Sequence, residues 1–298
     1  MPTPVPTIAP TAGYVFPDKP TLIDALEQGD YSPTGPYGTI TTWNVQAVDN
    51  FSSLINSISS VSTFNGDVSN WDTSSVTTME LAFFGASSFD VDLSSWDTRK
   101  VTSLGLTFAN NAFNGDVSTW AFNGDISSWD TRKVTKLDAT FDNAAAFNGD
   151  LSSWDTSQVD SLVRTFRATA AFSGDLSSWD VRKVTSLAET FEGATLFKSD
   201  ISNWDVASVT TFNGMLDGAS AFDHDLCSWG TKITGTPDVT DMFLSTSCPE
   251  SATVVNLAAS LKGPFCYTCS APTKAPTKAP TKAPTKTPSQ EPSIVPTL

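Results

Sequence analysis

The chain has 298 residues, with 17 Lys and Arg against 32 Asp and Glu and a formal charge of −15 at pH 7. Residues 1–270 hold 13 of the basic and 31 of the acidic residues, a charge of −18 that repels a phosphate backbone and excludes nucleic acid as a partner. Apolar residues reach 39%, enough to build a core and too many for wholesale disorder, and only 16% are charged, a profile that suits an extracellular surface.

In chain order, the sequence divides into five zones. Residues 1–13 are rich in Pro and Thr and read as disordered; Met1 is followed by PTPVPTIAPTAG, in which no signal peptide is visible. Residues 14–36 are expected to cap the array at its N-terminal end. Residues 37–221 are a repeat array of about seven coils, and 222–270 are a C-terminal coil and a cysteine-containing cap. Residues 271–298 repeat APTK, and Pro at every fourth position favours an extended stalk. No apolar run approaches the roughly 18 residues that a membrane-spanning helix needs.

The array is defined by its tryptophans. Trp71 and Trp96 are 25 residues apart, and Trp129, Trp154, Trp179, Trp204 and Trp229 follow one another at 25. A fixed period of this size means stacked units that share one core. The unit is typified by FNGDLSSWDTSQVDSLVRTF from Phe147. One step, Trp96 to Trp129, is 33 residues, because AFNGDVSTW (112–120) is followed at once by AFNGDISSW (121–129). This duplication at 112–129 is expected to bulge from the stack or to shift one strand's register.

Within each unit, Asp-[Val/Ile/Leu]-Ser reads as a short strand, its apolar residue (Val68, Leu93, Ile126, Leu151, Leu176, Ile201, Leu226) inward and its flanking Asp and Ser outward. After Trp, Asp-Thr or Asp-Val reads as a helix cap, and Val101, Leu104 and Phe108 lie on one helical face. The expected fold class is therefore an α/β repeat solenoid, right-handed and leucine-rich-repeat-like, with one short strand and one short helix per coil.

The pattern FN-x-D-[LIV]-S-x-WD-[TV]-x-x-VT-x-[LM]-x-x-x-F-x-x-A resembles the BspA-like leucine-rich-repeat surface proteins over about residues 37–250. YGTITTWNV (37–45) resembles that family's opening coil, with Asn44 in place of the usual Asp, and PTLIDALEQGD (20–30) its capping helix, which implies a short helix near 20–28. The resemblance implies an exported adhesion or recognition module, without catalytic residues.

Several columns are candidates for function. Asp67, Asp92, Asp125, Asp150, Asp175 and Asp200, with Ser94, Ser127, Ser152 and Ser177, are expected to form acidic and hydroxyl ladders on the strand face. Calcium is the candidate ligand, since it takes several hard oxygens; the alternative, which the reading favours, is that each Asp satisfies backbone donors of a neighbouring coil. Asp72, Asp97, Asp130, Asp155, Asp180 and Asp205 follow Trp and are expected to cap helices. Thr77, Thr102, Thr135, Thr185 and Thr210 align as a regular hydroxyl array, a candidate ice- or mineral-facing surface that Asp160 interrupts. No cofactor is otherwise expected.

Cys227, Cys248, Cys266 and Cys269 are expected as disulfides of an oxidising compartment, paired Cys227 with Cys248 and Cys266 with Cys269; zinc is the competing reading of the last two. Asn50-Phe51-Ser52 is a glycosylation sequon. The lone imidazole, His224, has no evident triad partners, so no enzyme is expected. The functional expectation is a monomeric extracellular or cell-surface module that binds protein or polysaccharide through its acidic strand face, with a structural cell-wall or matrix component as the alternative.

Overall fold

A computed structural model describes residues 13–109, 124–249 and 266. The nonamer 112–120, the start of its copy, Cys269 and the two Pro/Thr-rich ends lie outside the described residues. The N-terminal cap contains helix α1, Lys19–Gln28. Asp18 caps it by accepting from the Thr21 N–H, and Gly29 ends it in the left-handed conformation that glycine adopts without strain. Leu22, Ala25 and Leu26 of α1 are buried against the first coil. Lys19 Nζ donates to the Ser52 carbonyl, and Glu27 accepts from the Ser59 N–H (2.6 Å) and hydroxyl (2.5 Å).

Beyond α1 the chain winds into stacked coils. Asn50, Thr78, Ser103, Lys136, Ser161, Ser186, Thr211 and Asp238 pair in succession through isolated one-residue parallel bridges. Among the described residues no sheet strand forms, and the other helical segments are short 3-10 turns at Ile40–Thr42, Val61–Thr63 and Cys227–Thr231. The expected α/β leucine-rich-repeat-like solenoid, with a strand and a helix in each coil, is thus corrected. The one bridge per coil falls beside the Val-Thr pair, in the half expected to be helical.

Hydrogen bonding explains both errors. Where a strand was expected, the Asp carboxylate takes the N–H two residues on, as from Ser94 to Asp92 (2.8 Å) and from Ser152 to Asp150 (2.9 Å). The Trp N–H then bonds back to the buried aliphatic residue three before it, as from Trp96 to Leu93 (3.0 Å) and from Trp154 to Leu151 (3.1 Å). These local bonds turn the chain and divert the donors that a ladder would use. The inward residue is nevertheless fully buried in every coil, as the alternation required.

Where a helix was expected, alternate N–H groups leave the coil. Leu187, Glu189 and Phe191 donate to the Thr211, Asn213 and Met215 carbonyls at 3.0, 2.8 and 2.8 Å, whereas Thr190 bonds to Leu187 of its own coil at 3.3 Å. A left-handed residue recurs in this half: Leu81, Leu106, Ala139, Arg164, Glu189 and Asp241, with Gly214 in the same column. A right-handed helix cannot pass through it.

The core consists of aromatic columns. Trp96, Trp129, Trp154 and Trp179 lie nearly parallel, with ring centroids 6.3–6.5 Å apart. Phe108, Phe141, Phe166 and Phe191 stack at 5.5–5.9 Å, and Phe147, Phe172, Phe197 and Phe222 at 5.9–6.3 Å. Each indole N–H also donates to the aliphatic carbonyl of the preceding coil, at 3.0–3.2 Å from Trp96 to Trp229.

The flanks of the duplication keep the common register. Leu104, Leu106 and Phe108 donate to Lys136, Asp138 and Thr140 at 3.0, 2.9 and 2.9 Å, the same pattern as elsewhere. No shift of register is present in the described residues. At the C-terminal end the expected cysteine pairing is corrected: Cys248 bonds to Cys266, with Cα atoms 4.7 Å apart. Both are buried, and the Cys248 sulfur lies 3.9 Å from the Phe222 carbonyl at the end of the core. Cys227 sits half-exposed in the 3-10 turn and is also disulfide-bonded, to a partner outside the described residues.

Candidate functional site

The aspartates of the expected strand-face ladder share one job. Asp67, Asp92, Asp125, Asp150, Asp175 and Asp200 each accept the N–H of the residue two positions on, at 2.8–3.1 Å. The donors include Ser94, Ser127, Ser152 and Ser177. The backbone donors satisfied belong to the aspartate's own coil, not to its neighbour. Asn44 and Asn50 do the same with their amide oxygens, toward Gln46 (3.1 Å) and Ser52 (2.8 Å). These bonds hold the Asp92, Asp150 and Asp175 carboxyls below their ordinary range, the Ser N–H being the chief cause, with repulsion from Asp125 and Asp175 a smaller opposing effect on Asp150. Among the described residues, no group of three or more His, Cys, Asp or Glu is arranged to hold a metal ion.

The second aspartate column accepts the same way: Asp72, Asp97, Asp130, Asp155, Asp180 and Asp205 take the N–H two residues on, at 2.9–3.3 Å. The bond is that of a cap, but no helix follows. The aligned threonines also bond inward on the stack, Thr102, Thr135 and Thr210 donating their hydroxyls to the preceding coil's Thr77, Thr102 and Thr185 carbonyls at 3.1, 3.3 and 3.0 Å.

Two further hydroxyl columns carry bonds that the sequence pattern did not reveal. Ser128, Ser153, Ser178 and Ser228 donate to the preceding coil's Ser94, Ser127, Ser152 and Ser202 carbonyls at 2.5–3.0 Å. Thr107, Thr140 and Thr190 are fully buried, each bridging a carbonyl of its own coil and one of the coil before. His224 Nε2 lies 2.8 Å from the Lys198 carbonyl.

Beyond the aligned threonines, outward positions of the turn half do not repeat. They line a groove of about 440 Å³ bounded by Leu81, Phe84, Leu106, Ala109, Asp138, Ala139, Asp142, Val163, Arg164 and Arg167. The left-handed column positions several of these side chains, since Leu81, Leu106, Ala139 and Arg164 occupy it in four coils. Six of these ten residues are apolar; of the four charged ones, Asp142, Arg164 and Arg167 are held in ion pairs and Asp138 by neutral hydrogen-bond donors.

Arg167 grips Asp142 with two parallel bonds, Nε and Nη2 each at 2.8 Å, and its Nη1 stands 4.0 Å from Glu189. Arg164 binds Glu189 at 2.7 and 3.1 Å. Asp138 accepts from the Ser161 hydroxyl at 2.5 Å and the Val163 N–H at 3.2 Å. These partners hold both guanidiniums even more firmly charged, Glu189 acting on Arg164 and Asp142 on Arg167. Beyond the groove, burial and then Glu189 push the Glu192 carboxyl up, and burial and then Asp241 do so for Asp217.

Sequence reasoning sought function in the columns that repeat and passed over these residues. The signal that could have found them is their failure to repeat: 84, 109, 142 and 167 share one column and are Phe, Ala, Asp and Arg.

Among the described residues, no helix is long and apolar enough to cross a membrane. No curated protein and no solved structure matches the chain. The family described as "Mycoplasma protein of unknown function, DUF285" matches it three times, over residues 34–123, 121–192 and 160–252. The three matches overlap into one stretch that takes in the whole repeat array, and the chain belongs to that family.

Proposed function

We propose that this chain is a non-enzymatic recognition module of the cell surface or extracellular space, of the BspA-like kind, which adheres to a protein or glycan through the groove of its turn face. One observation carries the reading. The repeated polar columns spend their hydrogen bonds inside the stack, whereas unrepeated side chains of four coils converge on one groove. An internally satisfied group has little left to offer a partner. The disulfides support an oxidising compartment, and the Pro/Thr-rich ends suit a stalk. A second reading, a structural spacer of wall or matrix, draws on the unbroken inter-coil bonding.

Attachment of the purified full chain to cells or matrix separates the two. Val163→Arg, which fills the groove, abolishes attachment on the recognition reading, while charge reversal at Asp150 and Asp175 leaves it intact. Attachment that survives Val163→Arg and is lost on reversal of the aspartates returns the strand-face idea; attachment indifferent to both supports the spacer.

A further inference from the structure

We infer that the groove takes a neutral saccharide, a polyhydroxylated ring with one apolar face; this rests on the recognition reading and names its ligand class. The apolar part comes first. Leu81, Phe84, Leu106 and Val163 are each half-buried and border the groove, so they offer a hydrophobic surface that water wets and a ligand can cover.

The polar part then selects the ligand. Asp142 and Arg167 form a bidentate pair, Arg164 is similarly held by Glu189, and the Asp138 carboxylate is occupied by the Ser161 hydroxyl and the Val163 N–H, so both guanidiniums are already paired and each carboxylate already has donors. A charged ligand must break one of these pairs to make its own. A hydroxyl need not: it can donate to a remaining carboxylate lone pair or accept from Arg167 Nη1, whose contact with Glu189 is a long 4.0 Å. Adjacent sugar hydroxyls supply such donors and acceptors side by side, above a C–H face that lies on apolar side chains.

An extended peptide fits less well, because the backbone that borders the groove is committed. The Leu81, Leu106, Ala139 and Arg164 N–H groups donate to the next coil's Gly105, Asp138, Val163 and Ala188 carbonyls at 3.0, 2.9, 2.8 and 3.0 Å. No free edge is offered for main-chain pairing there.

The test is titration of the full chain, disulfides intact, by calorimetry and saturation-transfer NMR. The neutral probes are hexasaccharides: maltohexaose, cellohexaose, mannohexaose, xylohexaose and N,N′-acetylated chitohexaose. The charged probes are oligogalacturonate and a poly-glutamate peptide. At least one neutral probe binds, and Phe84→Ala and Val163→Arg each weaken it about tenfold or more, with melting curves showing that both variants fold. Asp150→Asn leaves the binding unchanged.

Binding of the charged probes alone, or of no probe, overturns the saccharide assignment. So does neutral-sugar binding that ignores both groove variants. In each of these cases, attachment to cells that is still lost in Val163→Arg keeps the recognition reading standing, so the two failures are distinguishable.

Discussion

Each coil has two halves that differ in kind. From the Phe of FNGD to the Asp-Thr corner, the sequence repeats nearly residue for residue, and its polar groups point at backbone. Asp150 folds onto Ser152, Ser153 reaches the Ser127 carbonyl, and Trp154 reaches the Ile126 carbonyl. The turn half repeats where it faces inward, at Leu162, Thr165 and Phe166, and where the aligned threonines bond to the preceding coil, and varies at its other outward positions. Repetition here marks the scaffold, because every coil must meet an identical neighbour; variation marks the positions that the stack does not use.

The largest test of that division is Trp179→Ala. The indole is buried, stacks on that of Trp154, packs against Phe166 and bonds to the Leu151 carbonyl at 3.1 Å, so its loss should cost about 3–5 kcal/mol in urea unfolding. Val163→Arg, at the half-exposed groove, should stay within about 0.5 kcal/mol. Equal costs would break the comparison. A smaller effect sharpens it: Thr165→Val removes a buried hydroxyl that donates to the Leu137 carbonyl at 3.0 Å, and should cost about 1–2 kcal/mol.

The smallest effect concerns pH. Asp92, Asp150 and Asp175 have folded pKa values below their unfolded ones, so the unfolded chain binds more protons as pH falls. Their contribution is complete above the ordinary carboxylate pKa of about 4 and is lost as pH falls through the depressed values. Glu192 and Asp217 act oppositely, since their raised values make the folded chain the better proton binder just above that range. Tm should therefore rise slightly on mild acidification and then fall steeply. Glu192→Gln should raise Tm slightly at neutral pH and shrink the early gain; a fall in Tm at pH 7 would show that the carboxylate makes a favourable bond.

Much of the architecture was legible in the sequence. The 25-residue period and the inward aliphatic and aromatic columns follow from spacing and hydrophobicity, helix α1 from the family resemblance of residues 20–30, and the C-terminal disulfide region from the clustering of the cysteines. The secondary structure did not follow, and the reason is physical. Val101, Leu104 and Phe108 face the core at helical spacing, yet successive turns with a left-handed Leu106 present the same face. Periodicity reports which side chains are inward and is silent on where the N–H groups go. Likewise the alternation around Leu151 suits a strand as well as it suits a turn closed by Asp150. The site was hidden for a different reason: Phe84, Asp142 and Arg167 carry no motif, and only the stacking of their coils brings them to one groove.

The central claim is that the repeated aspartates hold turns, each by accepting the N–H two residues on. Thermal melting of the variant carrying Asp125→Asn, Asp150→Asn and Asp175→Asn, with calcium and with chelator, tests it most directly. Asparagine already fills the same role at Asn44 and Asn50, so the account predicts a Tm within a few degrees of the parent and no calcium response in either protein. A parent that calcium stabilises, with the response abolished in the triple variant, would contradict it.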